Sequence, residues 1–236
     1  MRPPNYILKN KAKIASLIPA NQAIPYKEEN WVSYFPNDTD FKEISTNYPT
    51  QISRQNIFDI KTSLGTNPSS KQLRMFFLAV MLWGFGKTGY GAYRTHKMIC
   101  DPSFLDTIKN SFDEIQRGNI INAYNCFSLD KCGSAFFTKY FYFSGQGSAF
   151  SPKPLILDAV VARSLEDVCD GGISRYAKVS RYTENIKAKA YDSDSAGEIS
   201  SVGESPNGYM NYIHDMEDWA SSLEVTPDQI ELFLFS

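Results

Sequence analysis

Lys139 stands in the segment AFFTKYFYF, where nearly every neighbour is aromatic or aliphatic. An amine drawn into such surroundings loses hydration, which favours its neutral, nucleophilic form. The competing reading is a lysine at a helix edge that lays its methylenes on apolar surface and keeps its charge in water. Asp158 follows 19 residues later, after the extended run Lys153–Leu157 and directly before AVVARSLED. An aspartate there caps the next helix by accepting from its first amides, and the helix dipole keeps the carboxylate ionised. A helix, a loop containing Gly and Pro, and a capping Asp would point an amine and a fixed carboxylate into one cleft. The chemistry on offer is nucleophilic attack by a neutral amine beside a fixed carboxylate.

Other chemistries have less to work with. His96 and His214 are the only histidines, which argues against His-rich zinc sites and against a hydrolase built on a His base. Cys100, Cys126, Cys132 and Cys169 show no CxxC spacing and read as reduced, mostly buried thiols of a cytoplasmic protein. Gly84, Gly86 and Gly89 spell GxGxxG, but the string follows an apolar helix pattern and no βαβ unit surrounds it. Gly86-Lys87-Thr88 imitates the end of a phosphate loop, yet Met81 stands where that loop needs its first glycine. The stretch GFGKTGYGAYRTHK nonetheless gathers glycines, tyrosines and basic side chains. Lys87, Arg94 and Lys97 are candidates for phosphates, and Tyr90 and Tyr93 for sugars or bases, with glycine letting the backbone approach a ligand. The plainer alternative is a tight interhelix loop with incidental charge.

The Lys139–Asp158 spacing and its context resemble the helix-hairpin-helix DNA glycosylases, and among them the 8-oxoguanine DNA glycosylases. That family carries a lysine followed 19 residues later by a catalytic aspartate, with a helix before and a Pro-containing loop between. The resemblance covers about Leu129–Leu165 clearly and 71–100 more weakly, where the Gly-rich loop takes the place of a DNA-probing loop. It implies a helical DNA-glycosylase-like fold, base excision of a flipped, modified purine from double-stranded DNA, and no cofactor or metal. Lys139 would attack C1′ as the base leaves, Asp158 would stabilise the developing positive charge, and the resulting Schiff base would permit AP lyase activity. Phe143, four residues past the lysine where the family has a cysteine, is one candidate wall of the base pocket. Trp219 is a candidate for another wall, with Asp215 one turn earlier accepting purine N–H groups; a core anchor is the competing role for Trp219. The chain departs from the family pattern in three further places. An LPGVG-type hairpin is missing, Gly133 lying six residues ahead of Lys139. Val160 replaces a phosphate-binding His, and glycines and tyrosines replace an Asn cluster in the probing loop. The altered loop leaves open another modified base, an RNA or a nucleotide as substrate, and a non-catalytic nucleic-acid-binding module is the reading from a different class. Compact bacterial relatives are also expected in antiviral, antiphage gene sets that involve modified bases.

These side chains must be positioned by helices. Lys71–Gly84 is apolar nearly all round and predicts a buried helix. Ser103–Arg117 predicts an amphipathic one, with Phe104, Leu105, Ile108, Phe112 and Ile115 on one face. Leu129–Phe143, Ala159–Val168, Tyr209–Leu223 and Pro227–Leu234 complete the set, the last with Thr226 as N-cap and Pro227 at its first position. Residues 1–70 predict short helices and loops wrapping the core, and Asp192–Gly208 a polar, mobile loop. Strand alternation and repeats are absent from the sequence, so the expectation is an all-α single domain over 1–236, its core helices within 71–189. With 42% hydrophobic residues the chain can bury a substantial core, and no run of about 18 apolar residues predicts a membrane span. The segment MRPPNYILKNKAKIASL has no signal-peptide pattern, in keeping with a cytoplasmic location. Residues 190–236 hold ten acids and no Lys or Arg, leaving 24 basic and 16 acidic side chains in the rest. A basic body suits a polyanion partner.

Overall fold

The computed structural model describes residues 1–169, 171–182 and 197–236. Its helices are α1 (Asn5–Lys9), α2 (Lys11–Ala15), α3 (Glu28–Val32), α4 (Thr39–Asn47), α5 (Arg54–Ser63), α6 (Ser70–Phe85), α7 (Gly91–Ile99), α8 (Phe104–Gln116), α9 (Ile120–Cys126), α10 (Ser134–Ser144), α11 (Ala159–Val168), α12 (Pro206–Leu223) and α13 (Pro227–Phe235). Two small antiparallel ladders accompany them: β1 (Ala23–Pro25) pairs with β2 (Gln51–Ser53), and β3 (Lys178–Arg181) with β4 (Ile199–Gly203). The fold is all-α. Among the described residues no helix is long and apolar enough to cross a membrane.

Local chemistry sets the helix limits. Helix α6 starts at a capping box, in which the Ser69 hydroxyl accepts from the Gln72 amide and Gln72 Oε1 accepts from the Ser69 amide. It stops at Gly86, whose φ of +52° favours glycine. Helix α13 begins at Pro227, with the Thr226 amide donating to Gln229 Oε1. On α8 the buried face is Phe104, Ile108, Phe112 and Ile115, whereas Leu105 is exposed. The correction is geometric: one position past Phe104 is about 100° round the helix.

The chain folds as two compact units. The first comprises Met1–Leu17, Gly133–Thr138 and Leu155–Ser236; the second comprises Ile18–Cys132 and Lys139–Pro154. One boundary therefore falls within α10, between Thr138 and Lys139. In the first unit α11, α12 and α13 bury Val161, Leu165, Ile213, Met216, Trp219 and Ile230. The second is organised on α6, whose residues Phe76–Leu82 are all inaccessible to solvent. Tyr140 packs against Phe76 and Phe77 and donates to the Ile108 carbonyl at 2.9 Å; burial pushes its phenol pKa up, so it stays a donor. Arg54 is also fully buried here, its guanidinium over Trp83 and Tyr142 at 5.3 and 4.9 Å from the ring centres. Its Nε donates to Gln22 Oε1 at 2.7 Å, so aromatic faces and an amide oxygen replace its hydration.

Beyond Leu105, the structure differs from the sequence expectations in the strands, the start of one helix and the cysteines. Ladders form at 23–25/51–53 and 178–181/199–203, where no strands were expected. Strand β4 lies inside the stretch predicted as a polar loop, because Ile199 and Val202 turn inward to be buried. Residues 206–208 of that stretch open α12, and residues 192–196 lie outside the described residues. Helix α10 starts at Ser134 rather than Leu129, since Lys131 has a φ of +68° and ends the preceding turn. Finally, all four cysteines are free thiols but Cys100 and Cys126 are exposed; Cys132 is buried, which raises its thiol pKa.

Candidate active site

Lys139 is the first residue of α10 within the second unit, and only 5% of its surface is exposed. Tyr140, Phe141, Tyr142 and Phe143, which follow it, are fully buried. Two hydrogen bonds anchor this half of the helix: Tyr140 to Ile108, and Gln116 Nε2 to the Ser144 carbonyl at 2.7 Å. The apolar setting inferred for the lysine is thus that of a core helix.

Asp158 lies in the first unit at the N-cap of α11. Its Oδ1 accepts from the amides of Val160 and Val161 at 3.0 and 3.2 Å. Those donors hold one carboxylate oxygen and fix the side-chain rotamer. The segment before it, Leu155–Leu157, is buried yet belongs to no sheet. Its backbone groups are met by hydroxyls instead. Tyr209 accepts from the Leu155 amide at 3.2 Å and donates to the Leu155 carbonyl at 2.7 Å. Tyr212 donates to the Ile156 carbonyl at 2.8 Å. Thr138 Oγ1, fully buried, accepts from the Leu157 amide at 3.3 Å and donates to the Ser134 carbonyl at 2.8 Å. The residue before Lys139 is therefore hydrogen-bonded to the residue before Asp158. Ser134 in turn donates to the Val202 carbonyl at 2.8 Å, tying the start of α10 to β4.

The three expected base-contacting residues occupy different positions. Phe143, in the second unit, is fully buried and packs on Phe58, Trp83 and Tyr142. A base cannot stack on a ring with no exposed surface, so in this structure Phe143 is core. Trp219, in the first unit, is likewise fully buried, which is its anchoring role; its indole N–H finds no partner among the described residues. Asp215, 4% exposed, takes Arg175 Nε at 2.7 Å and Nη2 at 3.3 Å on its two oxygens. The carboxylate expected to read purine N–H groups is committed to a guanidinium, whose pKa it raises. Sequence reasoning missed Thr138, Tyr209 and Tyr212. The last two lie three apart on the buried face of α12, a spacing that could have marked them as inward phenols needing acceptors.

Lys87, Tyr90, Arg94 and Lys97 are all placed in the second unit, on the α6–α7 turn and on α7 itself. Lys87, Tyr90 and Lys97 are exposed. Arg94 is half-buried, its Nε and Nη2 both donating to the Lys131 carbonyl, which props the turn leading into α10. Two glycines of the loop make room for the protein's own chain rather than for a ligand. A Cβ at Gly86 would meet Ile24 Cγ2 at 2.7 Å, and one at Gly91 would meet Phe85 Cβ at 2.5 Å.

The hydroxyl clamp is open to direct measurement. Thr138→Val keeps the shape but leaves the Leu157 amide unpaired in the interior, and is expected to lower the unfolding free energy by about 1–3 kcal/mol. Thr138→Ser should recover most of that loss. Urea denaturation of the three proteins checks this, and a valine variant as stable as the parent would contradict it.

Comparison with known proteins completes the picture. No curated protein and no solved structure matches the chain. The family model described as "Putative 8-oxoguanine DNA glycosylase OGG-like protein" matches residues 18–235. With nearly the whole chain matched and an all-α architecture, the protein belongs to this OGG-like family.

Proposed function

We propose that this protein is a DNA glycosylase that releases an oxidised or otherwise modified purine, with 8-oxoguanine in duplex DNA as the reference substrate. The observation that carries this reading is a lysine buried in the helix core with a capped aspartate 19 residues on, in a chain of the OGG-like family. Lys139 Nζ bonds to C1′ of the flipped nucleotide while the C1′–N9 bond breaks and its electron pair leaves with the base, which takes up a proton. Asp158 offers its carboxylate to the positive charge that develops at C1′ and assists the proton transfer. Loss of a second proton from nitrogen and opening of the sugar ring give a Schiff base. Abstraction of a 2′ proton then expels the 3′ phosphate, and water hydrolyses the imine to free the lysine, which constitutes AP lyase activity. Lys87 and Lys97, exposed at the α6–α7 turn and on α7, contact backbone phosphates.

Two variants test the assignment. Lys139→Gln removes the nucleophile and is expected to lower base release from an 8-oxoguanine duplex by at least about a thousandfold; retention of more than about a tenth of parental turnover would contradict it. Asp158→Asn keeps a good N-cap, so stability should fall by less than ~1 kcal/mol while turnover collapses. A stable and fully active Asp158→Asn protein would reduce Asp158 to a cap.

A further inference from the structure

The second unit carries an exposed aromatic face that the chemistry above does not use. Tyr34, which follows α3, and Tyr93, on α7, have ring centres 5.8 Å apart at 61° and are 39% and 40% exposed. His96, one turn on from Tyr93, packs at 6.2 Å from Tyr34 and 5.7 Å from Phe35. Tyr90, at the N-cap of α7, is 60% exposed. Single exposed rings are ordinary, but Tyr34 and Tyr93 touch each other on adjoining elements of one unit and so form a contiguous aromatic patch, the kind that marks a binding surface.

The charges beside the rings indicate what covers them. From Lys87 to Lys97 the chain contains Lys87, Arg94 and Lys97 and no Asp or Glu. Lys97 Nζ lies 5.9 Å from the centre of the Tyr93 ring. The nearest acids before Tyr34 in sequence, Glu28 and Glu29, stand six and five residues away, at the opposite end of the short helix α3. Aromatic faces interleaved with cations suit a ligand that alternates flat rings with phosphates. In a duplex the base faces are covered by their neighbours, so a protruding tyrosine meets only sugar and base edges; an unpaired base offers a free face.

We propose that Tyr34 and Tyr93, with Lys97 beside them, form a stacking platform for unpaired nucleobases, so that the nucleic acid taken by this protein has single-stranded character. The proposal deepens the glycosylase reading by naming its substrate class, and depends on that reading only for nucleic acid being the partner. Its test measures binding of unmodified oligonucleotides. Base release does not enter, and an inactive or active Lys139→Gln protein decides nothing here.

Fluorescence anisotropy with a labelled 15-nucleotide single strand of mixed sequence, and with the same strand fully paired, reads the platform. Tyr34→Ala and Tyr93→Ala are each expected to weaken single-strand binding by about 5- to 100-fold, while Tyr34→Phe and Tyr93→Phe stay within about twofold of the parent. Duplex affinity should move by less than about threefold in all four, and circular dichroism should show each folded. Alanine variants that bind the single strand like the parent would overturn the proposal, as would an equal loss on both oligonucleotides or a parent that binds neither. A parent that sediments as a dimer, which Tyr34→Ala separates without changing single-strand affinity, would assign the face to a second copy of the chain and likewise overturn it.

Discussion

The arrangement around Asp158 depends on an extended, buried segment whose backbone has no sheet to join. An amide or carbonyl withdrawn from water without a partner costs on the order of 1–3 kcal/mol, and Leu155–Leu157 presents several at once. Three side-chain hydroxyls, from Thr138, Tyr209 and Tyr212, supply the partners. A hydroxyl both donates and accepts, which is why one phenol can serve the amide and the carbonyl of Leu155 together. The result is a straight lead-in to α11 that leaves Asp158 at its N-cap with the amides of Val160 and Val161 on one oxygen. The acidic C-terminal region gains a physical role from this: α12 pins the aspartate's approach from within the same unit.

Around Lys139 the governing interaction is aromatic. The residues after it are large, flat and buried, and Arg54 sits between two of the rings nearby in the second unit. A lysine flanked by such a core has little room to swing its methylenes toward water, which limits the rotamers its amine samples. The turn ahead of α10 is held separately, by Arg94 on the Lys131 carbonyl. Arg94 of α7 thus commits its guanidinium to the Lys131 turn within the second unit, a different service from the phosphate contact that the stretch's composition suggests.

Much of this was legible in the sequence where a short-range rule governs. Helix α11 runs over the predicted Ala159–Val168 because an Asp cap and an amphipathic repeat are both local signals. The sequence extends α10 back to Leu129 because Leu129 and Cys132, three apart, fit a helical period, while the positive φ of Lys131 has no signature in a side chain that rarely adopts it. Strand β4 escaped notice because three serines and glycines leave only Ile199 and Val202 to mark an inward face. Phe143, and Trp219 with its two competing roles, admit a base-pocket reading because an aromatic ring looks the same in a core as beside a ligand; only the tertiary packing separates the two. Tyr209 and Tyr212 were overlooked for the converse reason, since their partners are backbone groups some 54 and 56 residues away.

The account rests most directly on which amine becomes covalently joined to the sugar. Borohydride reduction during turnover on an 8-oxoguanine duplex, followed by nuclease digestion and mass spectrometry of the peptides, identifies the modified residue. The prediction is one adduct, on the peptide containing Lys139. An adduct on Lys87, Lys131 or another surface amine, or none on a duplex whose base has been released, would contradict it.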